Sequence, residues 1–336
     1  MKHGSIYLQF GFWKNIKAAG KNIFGPNAWE LFCALRSSQL RAEVPIELFG
    51  QDDFLSILWH ESGGSCFIED GQIDGIIRNK LSIDILSSVF LLDKSEKECN
   101  TIAKRNGILC LNADMMLRKK YLVTGHGFSY DFHQKGNYSD MKDFFQLPCN
   151  SLLLIDPYIL NKDDYIKFHI KPLLINILPE EISIPFHISI FSGIGKCNDD
   201  KLGALFYDKI NQMLKEIRPN LNCSLMLYQI PIQGEGWHDR YILTNNIMIN
   251  ATAGFDFFGP VKGVTCAKKI GSFKLCCPLL DKNNETDIYQ IWINKTSQES
   301  RRKNDNDYHH KRWGTQVNRL FELSAELNEG SKMSSK

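Results

Sequence analysis

Short continuous apolar runs alternate along the chain with stretches in which apolar side chains recur every three or four positions, a pattern that predicts strands separated by helices. The second half shows it best. Residues 151–155 form an uninterrupted apolar run ending at Asp156-Pro157-Tyr158, and Asn161, Asp163 and Asp164 then open a helix carrying Phe168, Leu173, Leu174 and Ile177, with a kink at Pro172. Residues 186–191 predict a second strand. Asp199 and Asp200 start a stronger helix with Leu202, Leu205, Phe206, Ile210, Met213, Leu214 and Ile217 on one face and Pro219 at its end. Residues 223–230 predict a third strand, and residues 240–249 a hairpin turning at Thr244-Asn245-Asn246.

In the first half, an apolar run over residues 86–92 precedes Ser95-Glu96-Lys97-Glu98, which has the form of a capping box. Gly107 would end the helix so opened, and residues 108–111 read as the next strand, giving a β-α-β unit. Helical spacing at Ala28, Leu31, Phe32 and Leu35 predicts an earlier helix. Residues 118–148, with Gly125, Gly127, Gly136 and Pro148, read as a loop-rich boundary. The class is therefore α/β, divided into an α/β domain over residues 1–149, a second α/β domain over 150–285 and a basic, partly helical or disordered tail over 286–336.

Length and composition suit this division: 336 residues, 43% apolar and 23% charged, are ordinary for about two globular domains. The longest stretch without a charged side chain, residues 219–234, is broken by Pro231 and several amides, short of the roughly 18 apolar residues of a spanning helix. Lys2, His3 and Gln9 interrupt the first dozen residues, which argues against a secretory signal. Ten cysteines without a CxxC pair then read as buried free thiols of a cytoplasmic protein rather than as a metal site. No cofactor is expected.

The net charge of +2 is unevenly spread, with 17 basic and 17 acidic residues over 1–149, 14 and 14 over 150–285, and 9 and 7 over 286–336. Residues 295–319 hold seven basic and three acidic side chains with Tyr308, His309, His310 and Trp313 interleaved, a mixture that suits either a phosphate-rich partner or a solvated tail.

The chemically informative segment is Trp237-His238-Asp239-Arg240-Tyr241 with Asn245 in the following turn and Ala253-Gly254-Phe255-Asp256-Phe257-Phe258 beyond it. A histidine can be nucleophile or general acid at a phosphate ester, a guanidinium two residues on can hold two phosphate oxygens in a fork, and an amide can orient either. Gly193-Ile194-Gly195-Lys196 lacks the form of a phosphate loop, but Lys196 falls beyond a strand's carboxyl end and is a second candidate phosphate contact. His60 and Glu61 beside Gly63 and Gly64 read as a structural turn.

The spacing of His238, Arg240 and Asn245 resembles the HxK(x)4D motif of the phospholipase D superfamily, with Arg for Lys and Asn for Asp, and Gly254 falls near the family's downstream glycine. Over residues 150–280, Asp156-Pro157-Tyr158-Ile159, His238-Asp239-Arg240, Asn245-Asn246 and Gly254-Phe255-Asp256 resemble the phospholipase-D-like C-terminal domain of MIT-domain-containing proteins of eukaryotic membrane remodelling. That resemblance implies a dimeric phosphoinositide-binding module. It makes His238, Arg240 and Asn245 the candidate catalytic set and Arg240 and Gly254 phosphate contacts, beside Lys196 from its place at a strand end, with Asp156, Tyr158, Asp239 and Asp256 as their support. Asn245 cannot supply the negative charge that would raise the basicity of His238. A single motif copy means that an active site needs a homodimer. Two functions stay open: a phosphodiesterase, foremost a nuclease acting on nucleic acid, and a non-catalytic module recognising phosphorylated lipid or nucleic acid. Residues 1–149 have no assigned family and are expected to offer a surface to a partner protein.

Overall fold

The computed structural model describes residues 5–23, 40–48, 55–56, 60, 66–79, 85–119, 122, 126–131, 146–161, 166–193, 200–230, 237, 240–251, 270–278, 280, 285–302 and 310–322. The fold is α/β, with two sheets. The first is parallel throughout: β1 (Ile6–Gln9), β2 (Leu40–Glu43), β3 (Phe67–Ile68), β4 (Val89–Leu91) and β5 (Leu109–Leu111), in the order β3-β2-β1-β4-β5. Among its helices are α1 (Phe10–Ile23), α2 (Gln72–Arg78), α3 (Glu96–Asn106) and α4 (Ala113–Arg118).

The β-α-β unit read from the sequence is β4-α3-β5. Ser95 Oγ accepts from the Glu98 amide at 3.3 Å while Glu98 accepts from the Ser95 amide at 2.9 Å, so both halves of the capping box form. Gly107 ends the helix at φ 60°, and a methyl group there would overlap the Cys149 carbonyl, so only glycine serves both the turn and the close approach of the second sheet. The predicted helix around residues 28–35 lies outside the described residues.

The second sheet has eight strands in the order β13-β9-β8-β7-β10-β11-β12-β6, built from β6 (His126–Asp131), β7 (Ser151–Ile155), β8 (Phe186–Gly193), β9 (Cys223–Ile230), β10 (Tyr241–Thr244), β11 (Met248–Ala251), β12 (Ile270–Cys276) and β13 (Lys311–Trp313). Strands β7, β8 and β9 are mutually parallel, and the remaining pairings are antiparallel. Strand β6 falls inside the stretch read as a boundary loop, yet pairs with β12 over six residues, so the second sheet draws its edge from within residues 1–149.

The parallel strands read as continuous apolar runs because both faces are covered. Alternate residues enter different cores: Leu152 and Leu154 of β7 pack with the first sheet, α5 (Lys171–Ile177) and α6 (Asp200–Ile217), whereas Leu153 and Ile155 join Phe191, Tyr228, Leu243 and Met248 on the opposite face. That second core is closed by Tyr289, Trp292 and Ile293 of α7 (Glu285–Arg301) and by Leu320 and Phe321 of α8 (Arg319–Glu322). Within residues 286–336, read as a basic, partly helical or disordered tail, residues 286–302 and 310–322 thus supply helices α7 and α8 and strand β13. The basic side chains that suggested solvation alternate there with buried aromatic and aliphatic ones. No helix among the described residues is long and apolar enough to cross a membrane.

Candidate functional site

The parallel strands β7, β8 and β9 end together, and Asp156, Tyr158 and Arg240 of the candidate set lie at that edge. Strand β7 stops at Asp156, whose side chain is 0% exposed; its carboxylate accepts from the Tyr158 amide at 2.9 Å, and its amide donates to the Phe191 carbonyl at 3.0 Å. The amide of Gly193 donates to the Pro157 carbonyl at 3.1 Å and that of Leu160 to Ser192 Oγ at 3.2 Å, which ties the turn to the end of β8. Because β10 runs antiparallel to β7 with Tyr241 opposite Ile155, Arg240 arrives beside Asp156.

Arg240 Nε lies 3.5 Å from Asp156 Oδ1, and the guanidinium carbon lies 4.9 Å from the centre of the Tyr158 ring. The carboxylate is fully buried while the guanidinium side chain is 20% exposed. A buried carboxylate needs a cationic or hydrogen-bonding partner, so Asp156 holds Arg240 in place. Tyr158 supports it through the attraction of a cation for an aromatic face. Three residues read from the sequence as phosphate contact and support are thus brought together.

Asn245 is not. It follows β10 while Arg240 precedes it, which separates them by roughly 16 Å at about 3.3 Å per strand residue. The Asn245 side chain is buried; its Nδ2 donates to the Leu86 carbonyl at 3.1 Å and the Gly107 carbonyl at 2.9 Å, and its Oδ1 accepts from the Asn150 amide at 2.8 Å. Asn150 Nδ2 reaches the carbonyls of Leu86, Asn106 and Gly107 as well, and Asn246 Nδ2 that of Pro148. The amide expected to orient a catalytic group instead fastens the second sheet to the first. His238, Asp239, Lys196, Gly254 and Asp256 lie outside the described residues.

One cation near this segment was not singled out. Lys295 of α7 lies 4.3 Å from the centre of the Trp237 ring and 4.8 Å from that of Trp292, while Trp292 packs against Tyr241 at 4.6 Å. Its only signal in the sequence is its place at the start of the basic stretch. Further along α7, burial pushes the Glu299 carboxyl up against the opposing pull of Arg302 and Lys295, and buried His310 lies 3.5 Å from Glu299.

Among the described residues no group of three His, Cys, Asp or Glu side chains is arranged to hold a metal ion. Cys66, Cys99, Cys110, Cys149 and Cys277 are buried free thiols; burial pushes Cys99 up to about 11 and Cys149 up to about 12, which makes both poor nucleophiles. His60 is exposed. No protein-family model matches the chain, and no curated protein matches it in sequence.

Proposed function

We propose that the second sheet carries a phospholipase-D-like phosphate-ester site and that the protein is a phosphodiesterase acting foremost on nucleic acid, with Arg240 holding the phosphate and His238 attacking it. The observation that carries this reading is the bracing of Arg240 between buried Asp156 and Tyr158 at the carboxyl ends of β7, β8 and β9. That edge is where α/β sheets bind ligands. A guanidinium held in one orientation gives a bidentate grip that a mobile cation does not. With one motif per chain, a second copy of the protein must bring its own His238 as leaving-group acid, so the active form is a homodimer.

A second reading has its own support. Asn245 spends its side chain on the scaffold, so nothing in the motif raises the basicity of His238. Under this reading the site binds phosphorylated lipid or nucleic acid without cleaving it. Incubating the full chain with labelled single- and double-stranded DNA and RNA, beside phosphoinositide vesicles, separates the two. Cleavage that disappears in His238→Ala supports the enzyme. Binding that survives His238→Ala, falls in Arg240→Lys and yields no product supports the module. If neither substitution changes binding or product, the phosphate-ester reading fails.

A further inference from the structure

We propose that Tyr158 is the residue that makes this site specific for single-stranded nucleic acid, by stacking an unpaired base beside the phosphate that Arg240 holds. The inference rests on the phosphate reading of Arg240 and adds the ligand class. Among the described residues Tyr158 is one of the few large hydrophobic side chains left exposed, at 37%, although its backbone is fastened by the Asp156 carboxylate and the neighbouring turn. The guanidinium lies over the ring at 4.9 Å. A ring on a fastened backbone costs little entropy to use and adjoins the cation that buried Asp156 braces.

A ring beside a guanidinium matches the repeat of a single strand, where a flat base adjoins each phosphate. The match is absent for the other candidates. A saturated inositol ring offers Tyr158 no π face, and paired bases in a duplex are stacked on one another. Stacking is tolerant of base identity, so the preference is for unpaired bases rather than for a sequence.

The test measures binding of the full chain to a labelled 20-nucleotide thymidine strand, to an abasic strand of equal length and charge, and to vesicles containing phosphatidylinositol phosphate. Wild type is expected to prefer the base-bearing strand about tenfold, the size of one stacking contact. Tyr158→Ala should erase that preference, cutting affinity for the base-bearing strand about tenfold more than for the abasic strand, whose smaller loss reports the lost brace on Arg240, and Tyr158→Phe should keep it. Equal loss on both strands, no loss on either, or tighter binding to the vesicles overturns the proposal. Arg240→Lys reports separately on the underlying reading. If it leaves both strands untouched, the phosphate assignment fails. If it weakens both while Tyr158→Ala acts equally on both, only the stacking role fails. Thermal melting of each variant confirms that it is folded before binding is compared.

Discussion

The two sheets share a device and use it with opposite charge. In each, parallel strands end at a common edge, and in the first sheet the order turns at β1, where β2 leaves on one side and β4 on the other. The edge of the first sheet is occupied by its own carboxylates. Asp93, following β4, lies against Gly11 in the first turn of α1, so close that a methyl group on Gly11 would overlap it; its amide donates to Gln9 Oε1 at 2.9 Å and its carboxylate accepts from Asn15 at 3.3 Å. Asp74 accepts from Gln9 at 3.3 Å and pairs with Lys94 at 3.0 Å, and Glu43 at the end of β2 is buried and accepts from the Ile73 amide at 3.2 Å. A helix N-terminus attracts anions, and here the chain's own Asp93 takes that place. The second sheet presents a guanidinium braced by a buried carboxylate. Strand topology makes both edges available, and on the proposed reading side-chain charge decides which of them receives a phosphate.

The largest expected effect tests whether the two regions are one folding unit. Asn245→Ala removes three buried hydrogen bonds, two of which cross to the first region at Leu86 and Gly107, and leaving even part of that set unpaired should cost about 3 kcal/mol in urea denaturation. A single cooperative transition is expected in wild type, because one face of the second sheet shares a continuous core with the first. Two separate transitions would break the comparison into two independent proteins.

Next in size is the contrast between the edges themselves. Arg240→Lys should weaken binding of a phosphate ester by about 1.5 to 3 kcal/mol, because the charge stays but the planar fork is lost. In the same titration Asp93→Asn should change nothing. A gain in phosphate affinity on removing the Asp93 charge would move the anion site to the first sheet.

A pH effect confined to the second sheet should follow in rank. His187 Nδ1 accepts from the Arg319 amide at 3.0 Å, its other nitrogen lies 3.0 Å from Gln316, and burial with the Arg319 charge lowers its pKa from the ordinary 6.5 to about 4. The folded state therefore keeps this imidazole neutral. Its contribution is intact above pH 6.5 and is lost as pH falls from 6.5 towards 4, where the unfolded chain takes up a proton that the fold resists. Melting temperatures across that window should decline less steeply in His187→Gln, and hydrogen exchange should place the loss at α8 and β8 rather than in the first sheet.

The smallest effect sharpens the account of Gly11. Gly11→Ala should cost about 1 kcal/mol through displacement of the Asp93 side chain, and the cost should vanish in an Asp93→Gly background, which also removes the Cβ that the new methyl would meet. An undiminished cost in the double variant would place the strain in the helix backbone instead.

How much of this was legible varies with the distance over which each feature is determined. The capping box at Ser95 and the left-handed stop at Gly107 were readable because donor, acceptor and backbone angle lie within one helix turn of each other. Strands β7, β8 and β9 were readable because a strand buried on both faces has no polar alternation to obscure it. The 240–249 hairpin was readable from its turn residues.

What local pattern could not reveal was the use to which a residue is put. Arg240 and Asn245 look alike as members of one motif, but a strand between them sends one to the open edge and the other into the seam with the first sheet. The basic stretch from Lys295 onward carries the charge of a solvated tail, yet Tyr289, Trp292, Leu320 and Phe321 close a core whose other wall lies on strands far upstream. Strand β6 finds its partner about 140 residues later in the chain. Periodicity and caps arise from interactions within a few residues and are written into the order of the side chains. Membership of a site or a core depends on which distant surfaces repay the entropy of closing the loops between them, and only the assembled sheets establish that.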